Sequence, residues 1–131
     1  MGSFSDYWEN KILDHIFGKG SYTPPTIYVG LSTADPTDDG SGLAEPSGNA
    51  YARTQTSSSD WNAASNGSLD NGSDITFAQA TGSWGTITHF ALFDAATAGN
   101  MLAHGVLSQP KTIGNSDTAR FQAGDLDISL D

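Results

Sequence analysis

Two apolar runs, Ile87 to Phe93 and Met101 to Leu107, constrain this chain more than any other feature. They lie within the stretch WGTITHFALFDAATAGNMLAHGVL, Trp84 to Leu107, and a small polar segment, Asp94 to Gly99, separates them. Each run has the length of a strand, and the connection suits a hairpin of the longer-loop type. Pairing Phe93 with Asn100 sets Leu92 against Met101, Phe90 against Ala103 and Thr88 against Gly105. The other face then joins Ala91 to Leu102, His89 to His104 and Ile87 to Val106. Large side chains fall opposite small ones on one face, as cross-strand packing favours. Both faces carry apolar groups, which places the hairpin centrally rather than at an exposed edge. Ile87, Phe90, Leu92, Leu102 and Val106 are its expected core residues.

Composition narrows the function classes. At 131 residues the chain fits one domain able to bury a core. The absence of cysteine excludes disulfides, thiolate metal sites and cysteine nucleophiles. Fifteen acidic residues against five basic ones leave a formal charge of −10. Such a surface repels a phosphate backbone and an anionic bilayer, so neither nucleic acid nor a membrane is an expected partner. No apolar run approaches the roughly 18 residues that span a bilayer, and the first residues lack the basic-then-apolar pattern of a secretion signal.

Residues Phe4 to Phe17 predict the one helix. Trp8, Ile12 and Ile16 recur every fourth position, and Leu13 and Phe17 widen the stripe. Asp6 with Glu9 resembles a capping box, and Gly18 supplies a stop. Phe4, Tyr7, Trp8, Ile12 and Ile16 are the candidate interface residues, because a short terminal helix this apolar needs something to lie against. That something is either its own domain or a partner subunit.

Pro24 and Pro25 then lead into a strand at Ile27–Leu31, followed by an Asp-, Gly-, Ser- and Pro-rich loop from Ala34 to Asn49. Tyr51–Gln55 and Ile75–Phe77 read as strands, with turn signals at Asn66–Gly67 and Asn71–Gly72 around Leu69. Lys111–Ile113 and Ala119–Phe121 suggest another hairpin, and Leu126–Leu130 alternates as a half-buried strand. The expectation is a mainly β chain: an N-terminal amphipathic helix for attachment and assembly over residues 1–20, then an antiparallel β-sandwich over 21–131. The sandwich would be jelly-roll or immunoglobulin-like, with about seven to nine short strands.

The polar groups do not assemble into chemistry. His89 and His104 share a face in the expected register, but zinc wants three or four ligands and none completes the set. They read as structural. Asp35-Pro-Thr-Asp-Asp39-Gly40 resembles the start of a calcium loop, yet an EF-hand needs its bidentate glutamate at the twelfth position, where this chain has Pro46. A solvated turn is the plain alternative there and at Asp70–Asp74. No nucleophile elbow occurs, and the two glutamates, Glu9 and Glu45, lie in the helix and the long loop. The expectation is a non-enzyme with no catalytic residue, no metal and no cofactor.

Five segments carry a resemblance: SFSDYWENKILDHIF, YTPPTIYVGLSTADPTDDGSG, EPSGNAYAR, DITFAQATGSWGTITHFALFDAATAGNMLAHG and AGDLDISLD. In this order, over nearly the whole chain, they resemble a family of small bacteriophage virion proteins commonly labelled phage tail fibre proteins. The resemblance implies a structural component of a tailed-phage virion, assembled in the host bacterial cytoplasm, with no catalytic residues to carry over. Three roles follow as expectations. The first is a tail fibre or appendage subunit that forms a homo-oligomer, trimer or dimer, and docks on other virion proteins. The others are a capsid decoration protein and a carbohydrate-binding module for host-surface glycans, with Trp61 or Tyr51 as the stacking platform.

Overall fold

A computed structural model describes residues 2–130. Along the chain lie β1 (Gly2–Phe4), α1 (Asp6–Ile16), β2 (Tyr28–Ser32), β3 (Thr54–Gln55), β4 (Ser68–Asp70), β5 (Ile75–Thr76), β6 (Gly85–Phe93), β7 (Met101–Ile113), β8 (Arg120–Phe121) and β9 (Asp127–Ser129). Seven strands form one curled sheet in the order β3-β2-β6-β7-β1-β9-β4, and β5 pairs with β8 as a separate ribbon. The fold is mainly β and sandwich-like. The large sheet is mixed rather than purely antiparallel, because β1 runs parallel to β9 while pairing antiparallel with β7. Among the described residues, no helix is long and apolar enough to cross a membrane.

Alternation along β2 and β6 sorts the two faces of the sheet. Val29 sits opposite Leu92 and Leu31 opposite Phe90, and all four enter the main core. Ile75, Phe77, Trp84 and Leu126 close that core from the ribbon and its connections. Edge-on aromatic contacts chain Trp84 to Phe77, Phe77 to Phe121 and Phe121 to Phe90. On the other face Ala91, Phe93 and Met101 form a smaller cluster with Tyr28, covered by Leu43 from the long loop. Asn71 is fully buried and ties the layers: its Nδ2 donates to the carbonyls of Ser73 and Gln122, and its Oδ1 accepts from the amide of Leu126.

The central hairpin forms where the sequence places it, but in another register. Phe93 pairs with Met101 rather than Asn100, because Asp94 closes the loop on Asn100 through both carboxylate oxygens. Leu102 is then the extra residue of a bulge, since Leu92 pairs with Ala103. Both Leu102 and Ala103 enter the main core, while Met101 joins the opposite cluster. The shift puts His104 opposite Ala91 and Val106 opposite His89. His89 and His104 are therefore diagonal neighbours, not a facing pair. Ile87, Phe90, Leu92 and Leu102 are buried, but Val106 is 57% exposed, turned outward by the same bulge.

From sequence, the second strand ends at Leu107. Instead β7 continues to Ile113, and Lys111 pairs with Ile87. Residues 107–110 stand against Thr88 alone, so Pro110 occupies an irregularity where no ladder donor is required. The expected partner of Lys111–Ile113, β8, pairs with β5 instead.

Phe4, expected at the start of the helix, instead ends β1 in the large sheet, and the helix begins at Asp6. Gly2 is required here: a Cβ would come within 2.6 Å of the Phe90 ring and 2.8 Å of the His104 carbonyl. The helix is capped by Ser5, not by an Asp6–Glu9 box. Its Oγ accepts from the Trp8 amide and donates to the Met101 carbonyl at 2.6 Å, while its own amide donates to the Leu102 carbonyl. Removing that hydroxyl orphans a buried carbonyl and a helix donor together. Ser5→Ala should therefore cost about 1–3 kcal/mol in urea unfolding, whereas Val106→Ser should stay within about 0.5 kcal/mol of the parent.

Candidate assembly surface

The helix splits the expected interface residues into two groups. Phe4, Tyr7 and Trp8 pack against the main core, with the Phe4 and Trp8 rings 4.4 Å apart. The Trp8 indole N–H is buried without a hydrogen-bond partner. The Tyr22 hydroxyl is held above its ordinary pKa, chiefly by burial and next by Tyr7. Ile12 is half-buried. Beyond it Leu13, Ile16 and Phe17 are 53%, 68% and 72% exposed.

This exposed end has a fixed shape. Gly18 adopts φ +73°, its amide bonds to the His15 carbonyl, and the Lys19 amide bonds to the Asp14 carbonyl at 2.7 Å. These are the two bonds of a Schellman stop. The Tyr22 amide adds a bond to His15 Nδ1. Lys11 and Lys19 flank the apolar end on the chain.

Against the Phe4–Trp8 pair lies a cavity of about 610 Å³. Ile27, Trp61, Leu69, Leu92, Ile128 and Leu130 supply most of its apolar wall, and Ala63, Ala64 and Gly67 leave part of the wall low. Asn62, also on the wall, donates to the Asp70 carboxylate at 2.8 Å.

The acidic loops are occupied with their own geometry. Asp35 accepts from the Thr37 amide, and Asp39 accepts from the Ser41 amide and the Thr37 hydroxyl. Asp38 takes the Nε2 hydrogen of His104 at 2.7 Å. His89 bonds to the Thr88 hydroxyl, and both histidines line a shallow polar groove with Asp35, Ser3 and Ser129. Among the described residues no group of three His, Asp or Glu side chains could hold a metal ion.

Sequence reasoning missed the strongest polar cluster. Arg53, only 5% exposed, forms a two-pronged pair with Glu45 and donates to the carbonyls of Ala95 and Ala98. Its guanidinium also lies 3.4 Å over the Phe93 ring. Tyr51 donates to Glu45 and accepts from the Leu31 amide. Burial, with Glu45 adding, keeps its hydroxyl well above the ordinary range despite the Leu31 amide. Glu45 and Arg53 lie eight residues apart in the one irregular connection between β2 and β3, so no periodicity marks the pair. The cluster is a structural clamp between the β2–β3 and β6–β7 loops. It also engages one candidate sugar platform, Tyr51, while Trp61 donates its indole N–H to Thr56 and packs on the core.

Two outcomes follow. Arg53→Ala strands a largely buried carboxylate and should cost about 3–5 kcal/mol, with Glu45→Gln/Arg53→Met recovering part of it in urea melts. The hydrogen bonds from Ser41 hold the Asp39 carboxyl at about 2 rather than 3.8. The turn's stabilisation is thus complete above pH 3.8 and lost as pH falls through 2. Ser41 amide exchange should accelerate in that window, and Asp39→Asn should abolish the dependence.

A family model described as podophage GP4 fiber I protein gp80 matches residues 3–129. No curated protein matches the chain.

Proposed function

From the premise that this chain belongs to the podophage GP4 fiber I protein gp80 family, we propose that it is a non-enzymatic fibre subunit that self-associates and docks on neighbouring virion proteins through the free end of α1. Its family makes it a phage structural fibre protein. Docking and self-association are the finer reading, and one observation carries them. Leu13, Ile16 and Phe17 stand in water together on a helix whose other half is anchored to the core. A protein of this size gains nothing by presenting three large apolar groups on one rigid tip unless another surface covers them.

The division of labour along the helix supports this reading. Phe4 and Trp8 hold the first turns on the sheet, so the tip keeps its position relative to the β structure. The segment 1–20 is thus an attachment segment braced by its own domain. Decoration of the capsid would use the same tip on a different neighbour. A glycan role draws less support, since Tyr51 is held in the Arg53–Glu45 clamp and Trp61 lines a largely apolar cavity.

Replacing Leu13, Ile16 and Phe17 together by Ser should leave the melting temperature close to the parent value and remove the protein from assembled particles. Trp8→Ala should instead lower the melting temperature, because that ring is packed internally. Full incorporation of the triple variant would sink the docking role. Antibody labelling confined to the head would sink the fibre position and leave decoration.

A further inference from the structure

Resting on the self-association read above, we propose that copies of this chain join by exchanging an arm: residues 2–20 of one copy fill the slot between β7 and β9 of a second. The slot exists because β1 alone bridges two parts of the large sheet. In the order β3-β2-β6-β7-β1-β9-β4, the strands β9 and β4 reach the others only through β1. Without β1, the facing edges of β7 and β9 expose unpaired backbone groups, and the Met101 and Leu102 carbonyls lose Ser5. An opened copy thus offers one arm and one slot. The arm of a second copy satisfies that slot with the same ladder bonds, the same Ser5 bonds and the same Phe4 and Trp8 packing.

The arm is joined to the body by a hinge. Its helix has no fully buried residue, and residues 21–27 form neither helix nor strand. The bonds at the two ends of the hinge stay on their own sides. The Tyr22 amide donates to His15 of the helix, and the Ile27 carbonyl accepts from Thr56 of the body. Between them, residues 23–26 make no backbone hydrogen bond among the described residues. Pro24 and Pro25 fix their own φ and bias the residues before them to extended backbone, which keeps the hinge stretched. At about 3.1 Å per extended residue, residues 21–27 reach about 22 Å, enough to hand the arm to a copy alongside.

Charge and chain order favour a second copy as the recipient. The arm carries three acidic residues and two lysines, so nearly all of the net charge of −10 stays on the body. Bodies that repel each other face to face are joined here by a nearly neutral segment on a stretched hinge. The arm also precedes β9 by most of the chain, so it is complete long before its own slot is. A tethered arm meets its own slot at an effective concentration on the order of millimolar. Exchange therefore requires copies packed that closely, which is the situation of neighbouring subunits in a fibre. Arm and slot are different patches, so the contact closes as a reciprocal two-fold pair or as a ring.

The test uses the absence of cysteine from the chain. Ser3 of β1 and Ser129 of β9 pair in register, and both line the same open groove. A double variant, Ser3→Cys with Ser129→Cys, should cross-link within one chain in dilute solution, which verifies that the pairing survives substitution. Should Ser129→Cys disturb the fold, His104→Cys takes its place, since His104 pairs with Ser3 from the other side. The two substitutions are then made in separate chains, unfolded together in urea and refolded at about 1 mM, the tethered concentration. A short bifunctional thiol reagent should join the two variants into a mixed dimer. Its yield should be at least about tenfold that from Ser3→Cys with Thr112→Cys, a β7 position outside the β1 pairing, and should fall on refolding at about 10 µM. A mixed dimer no more abundant than this control, beside a double variant that cross-links within its chain, would overturn the exchange. If sedimentation still showed the parent assembling at the same concentration, self-association through another surface would stand. A parent monomeric throughout would remove both readings.

Discussion

The bulge at Leu102 leaves two buried carbonyls, those of Met101 and Leu102, and both are answered by Ser5. That arrangement governs much of the molecule. A bulge interrupts the ladder, and a buried backbone acceptor left unpaired is costly. Ser5 meets both demands while serving as the helix cap, which hangs α1 from the turn end of the central hairpin. The same extra residue lets the neighbours Leu102 and Ala103 both enter the main core while Met101 serves the opposite cluster, so one local irregularity fills the core and positions the helix.

A second constraint acts at the tip end of that hairpin. Arg53 is too buried to be left with water as its partner, and the structure surrounds it with Glu45, two loop carbonyls and the Phe93 ring. A guanidinium with five donors in a fixed fork suits such a site, where an ammonium would leave acceptors unmet. The long acidic loop is therefore pinned at Glu45 and, through Leu43, over the outer cluster. Its aspartates are spent on turns and on His104.

Much of this was legible in the sequence, for identifiable reasons. The hairpin and the helix announce themselves by period and length, and Gly18 by its place after the last apolar residue. The register was not legible, because a bulge adds one residue without altering the apolar pattern on either side. Val106 looks like a core residue in any regular ladder and becomes a surface residue only once Leu102 is extra. Phe4 reads as helical because it is four positions before Trp8, yet the two rings meet from a strand and a helix. Pro110 reads as a strand end because a proline lacks the donor a ladder needs, and a run of unpaired residues beside Thr88 removes that need. The Arg53 clamp leaves no local signal at all, since its partners come from an irregular stretch of its own loop and from the distant β6–β7 turn.

The placement of β1 has a consequence for how the molecule comes into being. Gly2 pairs with Ile128 on one side and with Gly105 on the other, so the sheet joins residues separated by almost the entire length of the chain. Pairings this distant in sequence close late and slowly. A ribosome must release β9 before β1 has both neighbours, and β4 attaches to the sheet only through β9. Leu69 of β4 and Ile128 of β9 also face each other in the wall of the apolar cavity. The cavity is thus finished last, and an interrupted chain carries the helix without the completed apolar wall beside it.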